Sequence, residues 1–229
     1  MDYERHHRPS FTELELALDE GDEVRSEAGS MVSHSEGVTV ETRAEGGLLS
    51  SLKRSVLGGE SFFVNTFEAE RPGTLTLAPA LPGDVIQYEL RDESLFVQSS
   101  SFLAAETDVD LDTKFGGSRS FFGGEGLFLL ELSGRGLTFL SSYGATSVVS
   151  LDPGERHVVD TGHVVAFEDT VDFSVERVGG LKSTLFSGEG LVCEFEGPGN
   201  IWTQSRSPDA FLAWLIPNLP SNGVGNGSE

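Results

Sequence analysis

The sequence has little cysteine and no long apolar run, and each shortage excludes a class of protein. Cys193 is the only cysteine, so neither an intramolecular disulfide nor a multi-cysteine metal site can form. No apolar run approaches the roughly 18 residues that span a bilayer. Residues 1–10 also lack the apolar core of a signal peptide. We therefore expect a cytoplasmic protein without a membrane partner, whose thiol lies buried in a strand.

Positive charge is also scarce. The chain has 15 basic and 37 acidic residues, a formal charge of −22, and only Lys53, Lys114 and Lys182 are lysines. Without a basic stripe to neutralise phosphates, the composition argues against nucleic-acid binding. A surface rich in carboxylates and poor in lysine is typical of proteins dissolved in molar salt, which screens charge beyond about 3 Å. The composition therefore predicts the cytoplasm of a salt-loving prokaryote.

Four landmarks recur three times in the same order along the chain. Each copy has an acidic glycine turn, an aligned 13-residue stretch, a double glycine and a Gly-Glu pair. In the aligned stretches 29–41, 100–112 and 162–174, Val38, Val109 and Val171 are in register, and the Gly-Glu pairs lie at 59–60, 124–125 and 188–189. This order predicts an internal triplication.

Within each copy the apolar residues alternate with a period of two. Leu14, Leu16 and Leu18 of "TELELAL" share one face of a predicted strand. Turn residues interrupt the apolar runs every 6–12 residues, which predicts about six short strands per module. The exception is "SPDAFLAWLIPNLP", where Ser207 is a plausible N-cap and Pro208 suits the first turn of a short helix.

The predicted fold is all-β. It is an internal triplication of a short double-stranded β-helix or sandwich-like module in a pseudo-threefold arrangement, with a short C-terminal helix. The expected boundaries are a flexible N-terminus (1–10), β modules at 11–77, 78–146 and 147–206, the helix (207–220) and a flexible tail (221–229).

Several motifs resemble one known family. They include "GESFFVNTFEA" (59–69), "LAPALPGDV" (77–85), "LDPGERHVVDTGHVVAF" (151–167) and "VGGLKSTLFSGEGLVCEFEGPG" (178–199). From about Leu14 to Pro220 the chain resembles the family related to altered inheritance of mitochondria protein 24. The resemblance implies a fold similar to the trp RNA-binding attenuation protein, which assembles into rings. It supplies no catalytic residues, because none are established for the family; its mitochondrial member is tied to cristae organisation.

Motifs for metal binding and catalysis are missing. A cupin site needs a His-x-His pair, which does not occur, and Ser30 and Ser101 stand where the third copy has His163. The nucleophile elbow G-x-S-x-G and the phosphate-binding P-loop are absent too. We therefore predict neither an enzyme nor a cofactor.

The repeated glutamates are the clearest candidates for a site. On a pseudo-threefold axis Glu60, Glu125 and Glu189 would converge, which would raise their pKa values or recruit a cation. The alternative, which we favour, is that each pairs with a nearby basic residue or a turn amide.

Basic residues recur just before those glutamates. Lys53, Arg119 and Lys182 lie between the double glycine and the Gly-Glu pair of their copies. They would form either an anion site or, as we prefer, salt bridges to the glutamates of the neighbouring module.

The leading functional hypothesis is a non-catalytic, homo-oligomeric β scaffold. Each copy has edge strands to protect, which favours closure through neighbouring chains. We expect a homotrimer, or a larger ring, in which nine modules close the circle. The alternative is a module that binds a small molecule or anion between its repeats; a further protein partner stays open.

Overall fold

The computed structural model describes residues 1–41, 64–112, 128–177 and 191–219. These residues form seventeen β-strands in three sheets and one C-terminal α-helix. The structure therefore confirms the predicted all-β class and the short helix.

The strands fall into three groups along the chain, after an initial strand β1 (Asp2–His6). Segment 1 (13–77) contains β2 (Glu13–Leu18), β3 (Glu23–Glu27), β4 (Met31–His34), β5 (Val38–Glu41), β6 (Val64–Ala69) and β7 (Gly73–Leu77). Segment 2 (85–141) contains β8 (Val85–Gln98), β9 (Phe102–Glu106), β10 (Val109–Asp112) and β11 (Leu129–Ser141). Segment 3 (146–204) contains β12 (Thr146–Leu151), β13 (Arg156–Asp160), β14 (Val164–Glu168), β15 (Asp172–Arg177), β16 (Leu191–Glu196) and β17 (Gly199–Gln204). The helix α1 (Pro208–Asn218) follows.

The largest sheet links all three segments. Nine of its ten strands run in the order β12-β17-β14-β8-β11-β9-β3-β6-β5, and the tenth, β10, pairs with β11 off this path. A four-stranded sheet, β1-β2-β7-β4, belongs to the N-terminal part, and a three-stranded sheet, β13-β16-β15, belongs to segment 3. Segments 1 and 3 thus each place strands in two sheets.

The alternation seen in the sequence matches the burial in β2. Leu14, Leu16 and Leu18 are buried, while Glu13 and Glu15 between them are partly exposed. Burying a leucine side chain contributes about 1.5–3 kcal/mol, so one face of this strand alone accounts for several kcal/mol.

Segment 2 departs from the expected six short strands, because β8 and β11 each run through two predicted strands. Segments 1 and 3 turn at Gly21 and Gly154, both with positive φ. The acidic glycine turn predicted for the second copy, at Gly83, precedes β8 and does not occupy the matching position. That position, Arg91–Glu93, contains no glycine, and the strand only bends there, with Asp92 at a φ of 75°. Without a glycine there to permit a tight turn, β8 stays continuous. β11 also stays continuous, although its Gly134 and Gly136 have positive φ, and its pairing with β8 shifts register between Ser133 and Arg135.

Three hydrophobic clusters form the core. The cluster of segment 1 includes Leu103 and Phe139 of segment 2. The cluster of segment 2 includes Val165 and Ala166 of segment 3, and that of segment 3 includes Leu129 of segment 2. Neighbouring segments therefore share their cores.

Candidate functional site

The six residues that the sequence analysis singled out cannot be placed. They all lie outside the described residues: Lys53, Glu60, Arg119, Glu125, Lys182 and Glu189. Whether the glutamates converge, or pair with the basic residues, stays a prediction. The candidate sites in the described part of the chain lie elsewhere.

Segments 1 and 2 are joined by an antiparallel pair of strands, β3 and β9. Val24 lies opposite Glu106, Arg25 opposite Ala105, and Ser26 opposite Ala104. The guanidinium of Arg25 reaches past the pair and donates to the backbone carbonyls of Thr107, at 2.7 Å, and Val109. We call this pairing junction 1.

Segments 2 and 3 are joined in the same way, by β8 and β14. Leu95 lies opposite Glu168, Phe96 opposite Phe167, and Val97 opposite Ala166. We call this pairing junction 2. In both junctions the strand supplied by the later segment is almost wholly enclosed, because four of the five residues in β9 and in β14 are buried.

Two further strands correspond to the strands of these junctions but have an open edge: β4 corresponds to β9 and β14, and β13 corresponds to β3. Among the strands that the structure describes, β4 pairs with β7 and β13 pairs with β16, and neither has a second partner. Their apolar side chains face solvent: Met31 is 44% exposed, Val32 51% and Val158 56%. An edge strand presents unpaired N–H and C=O groups, so it can add a strand from another chain.

A cavity of about 310 Å³, lined by both apolar and polar side chains, is the second candidate site. All three segments and α1 contribute to its lining: Glu27, Pro79, Ala80, Leu81, Gln98, Ser100, Ser141, Ser142, Tyr143, Gly162, Gln204, Pro208, Asp209 and Leu212. Gln204 is fixed in place, since its side-chain nitrogen donates to the Gly162 carbonyl at 2.9 Å and its oxygen accepts from the Tyr143 amide at 2.8 Å. The cavity is therefore rigid on the side of segment 3.

Glu27 is the chemically distinctive residue of this cavity. Burial raises the pKa of its carboxyl group to about 7, and in the described part of the chain no cation offsets that burial. The lining includes a second acid, Asp209, and no basic side chain. A neutral hydrogen-bond acceptor for the protonated carboxyl group of Glu27, or a cation that pairs with its carboxylate, would fit here better than an anion.

The histidines and the cysteine do not form a site in the described part of the chain. Among these residues no three His, Cys, Asp or Glu side chains are placed to hold a metal ion. His163 has its Nδ1 atom 2.7 Å from the Gln204 carbonyl oxygen. Cys193 is buried, as predicted, and burial together with Asp160 raises the pKa of its thiol to about 12, so the thiol is unreactive at neutral pH.

The helix α1 carries exposed apolar side chains. Leu212, Trp214 and Ile216 are 46–64% exposed, and no residue of the helix is fully buried. Its clearest aromatic contact to the body of the protein is between Phe211 and Tyr143, whose ring centroids are 6.1 Å apart. None of the helices in the described residues is both long and apolar enough to cross a membrane.

Val32, Val158 and Glu27 were not among the residues predicted from the sequence. The aligned copies carry a signal for Val32, because it stands where Leu103 and Val165 stand in the other two. Glu27 has no such local signal. Its burial depends on residues such as Tyr143 and Leu212, which are more than a hundred positions away in sequence.

The fold defines the class: an all-β protein whose segments join edge to edge through antiparallel strands. A family described as "Mitochondrial biogenesis AIM24" matches residues 3–206. The chain belongs to this family, and the resemblance noted in the sequence is confirmed.

Two proteins of Streptococcus pyogenes are similar to the chain. The "Uncharacterized protein M6_Spy0233" of serotype M6 is 30% identical over 220 residues, which cover 93% of this chain and 88% of that protein. The crystal structure of protein SPYM3_0169 superimposes with a TM-score of 0.81 at 29% identity, covering 95% of this chain and 99% of that one. Neither name states a reaction or a ligand.

Proposed function

We propose that the protein is a non-catalytic, homo-oligomeric β scaffold built from three copies of one module. One observation carries the proposal: the same strand junction occurs twice, and among the described strands one half of it is open on β4 and the other half on β13. Chains that carry both halves can associate head to tail.

The strand pairing supports the triplication. In segment 1, β7 pairs with β2 and β4, while β6 pairs with β3 and β5. In segment 3, β17 pairs with β12 and β14, while β16 pairs with β13 and β15. Segment 2 follows the same scheme within its long strands, since β9 pairs with the C-terminal half of β11 and β10 with its N-terminal half.

A hydrogen bond that recurs at matching positions also supports the triplication. The Ser35 hydroxyl accepts from the Thr74 amide at 2.9 Å. At the matching positions, Glu106 accepts from the Leu137 amide at 2.8 Å, and Glu168 accepts from the Asn200 amide at 2.9 Å. Three side chains of different type make one contact, as expected of diverged copies of a module.

The open strands also indicate where the assembly closes. Around a pseudo-threefold axis within one chain, β4 and β13 would pair with each other. They do not pair with each other in this structure. We therefore place the closure between chains, with three chains contributing nine modules to a ring.

The test is the absolute mass of the protein by light scattering on a sizing column, in about 2–3 M KCl so that charge repulsion is screened. We expect the mass of a trimer or of a larger closed ring. A single 24.6 kDa species at all concentrations would refute the scaffold.

The cavity favours a second candidate function, the binding of a small molecule. Its size and its partly buried Glu27 suit a small neutral or cationic polar compound, and its two acids disfavour the anion that the sequence left open.

This candidate is tested by thermal unfolding with small primary amines and guanidinium compounds. Binding to the folded state raises the melting temperature with ligand concentration. The increase should disappear in Glu27→Gln and persist in Glu20→Gln, which changes an exposed glutamate. Equal increases in both variants would show that any binding lies outside the cavity.

A further inference from the structure

The two junctions within the chain use the same register at matching positions. Junction 1 pairs Val24 with Glu106, and junction 2 pairs Leu95 with Glu168. In the aligned copies Val24 and Leu95 occupy one position, and Glu106 and Glu168 occupy another. The next two pairs of each junction correspond in the same way. A single register therefore recurs, so it belongs to the module and not to one local sequence.

We propose that β13 of one chain pairs antiparallel with β4 of a second copy in this same register. This inference rests on the proposed scaffold. His157 stands at the position of Val24 and Leu95, and Ser35 at the position of Glu106 and Glu168. The intermolecular pairs are then His157 with Ser35, Val158 with His34, and Val159 with Ser33. The four-stranded and the three-stranded sheets become one seven-stranded sheet across the contact.

Burial indicates which occupant the open edge takes. Met31 and Val32 of β4 are about half exposed. Their counterparts in β9, Phe102 and Leu103, are fully buried, and those in β14 are buried as well. Met31 and Val32 thus keep the apolar character of their buried counterparts, whereas Ser33 and His34 are polar, and the described part of the chain covers β4 on one edge only. A second copy supplies the missing strand, because it carries β13 with the matching register.

Not every edge strand corresponds to a strand of a junction. Val148 of β12 is 54% exposed, and β12 also lies at the end of a sheet. Its counterpart in segment 2, the first half of β8, pairs only with β11, and its counterpart in segment 1, β2, pairs at that edge with the N-terminal strand β1, which belongs to none of the three segments. In the described part of the chain, therefore, no junction between segments uses that edge. This makes Val148 a matched control for Val158: a valine of similar exposure on an edge strand outside the junction.

The register is tested by thiol cross-linking between two variants that each carry one introduced cysteine. Buried Cys193 stays unreactive, so it serves as background. His34→Cys and Val158→Cys are purified separately, mixed in about 0.1 M KCl so that the oligomers dissociate, brought to high salt, and treated with a mild oxidant or a short bis-thiol reagent. We expect a cross-linked dimer from this mixture, and none from either variant alone or from His34→Cys mixed with Val148→Cys. The same mixtures are sized without cross-linking.

A second pair of variants tests the contact without cross-linking. Lysine on an edge strand opposes edge-to-edge pairing. Val32→Lys should therefore weaken assembly by about tenfold or more, while Val148→Lys leaves it unchanged. Because both valines are exposed, both variants should fold, and circular dichroism checks that they do.

The outcomes separate this inference from the scaffold. An oligomer that cross-links between positions 34 and 158 supports both. An oligomer of unchanged mass that does not cross-link in the mixture, or that tolerates Val32→Lys, overturns the register and leaves the scaffold standing. A monomeric wild-type protein overturns the scaffold and this contact together.

Discussion

At the scale of single residues, Asp84 anchors the start of segment 2 to the N-terminal region. Its carboxylate accepts two hydrogen bonds from Arg8, at 2.7 and 2.9 Å, and others from the Thr12 hydroxyl and the Val85 amide. Burial would raise the pKa of this carboxyl group, but the hydrogen bonds from Arg8, Val85 and Thr12 outweigh burial and the pKa is lowered. The charged form is therefore the stable one in the folded protein.

Asp84→Ala should destabilise the protein by about 2–4 kcal/mol, because it leaves buried donors without an acceptor. Urea unfolding in high salt measures the change. Asp110→Ala, which removes an exposed aspartate of β10, should stay within about 0.5 kcal/mol of wild type. The stabilisation from Asp84 is present above its unfolded pKa near 3.8 and is lost as the pH falls through the lowered folded value. Equal losses in the two variants would contradict the anchoring role.

Glu27 affects the pH dependence of stability in the opposite direction to Asp84. Its folded pKa is about 7 against an ordinary 4.5, so the folded state binds the proton more tightly than the unfolded state. Stability is full below pH 4.5 and decreases as the pH rises through 7. Because the carboxyl group is partly exposed, solvent screens part of the free-energy cost of its ionisation. Glu27→Gln should therefore stabilise the protein by about 1–2 kcal/mol at pH 8.

The check on Glu27→Gln is urea unfolding at pH 8 and at pH 5. The difference from wild type should shrink at pH 5, where most of the glutamate is protonated in the folded protein. Asp209 also lines the cavity, so the measurement is repeated in the Asp209→Asn background. A pH-independent difference would mean that packing, and not ionisation, distinguishes the variant.

At the scale of elements, the helix α1 depends on its own N-terminus more than on packing. The Ser207 hydroxyl accepts from the Ala210 amide at 3.4 Å, Pro208 occupies the first turn, and no helix residue is fully buried. A cap of this kind contributes about 1 kcal/mol. The helix can therefore open without the sheets.

Ser207→Ala should lower the hydrogen-exchange protection of α1 amides by about fivefold, since the lost cap is worth about 1 kcal/mol. Protection in β2 and β7 should stay the same. Ser100→Ala, in the turn that follows β8, is the control for a serine substitution away from the helix. A loss of protection in the sheets would show that the helix stabilises the whole chain.

At the scale of the whole molecule, the formal charge of −22 dominates. Mutual repulsion opposes both folding and association until salt screens it, over about 10 Å at 0.1 M and about 3 Å at 1 M. This favours the salt-loving setting that the composition predicts.

The melting temperature should rise steadily between about 0.1 and 3 M KCl, and the oligomer should dissociate at the low end. Sucrose, which favours compact states without screening charge, is the control and should not restore the oligomer. A protein that stays folded and free of aggregates in dilute buffer would contradict the halophilic prediction.

The sequence by itself determined the features that depend on short-range pattern. The alternation of Leu14, Leu16 and Leu18 specified a half-buried strand, Ser207 and Pro208 marked the helix start, and the quoted motifs identified the family. Each follows from the two-residue period of a strand or from the local requirements of a cap.

Only the tertiary structure decided which edges stay open and which carboxylate is buried. β4 begins with two apolar residues, as β9 and β14 do, but among the described strands it has a partner on one edge only. Glu27 resembles any surface glutamate until residues from the other segments and α1 enclose it. Pairing and burial join positions far apart in sequence, so they depend on how the whole chain packs and not on any local pattern.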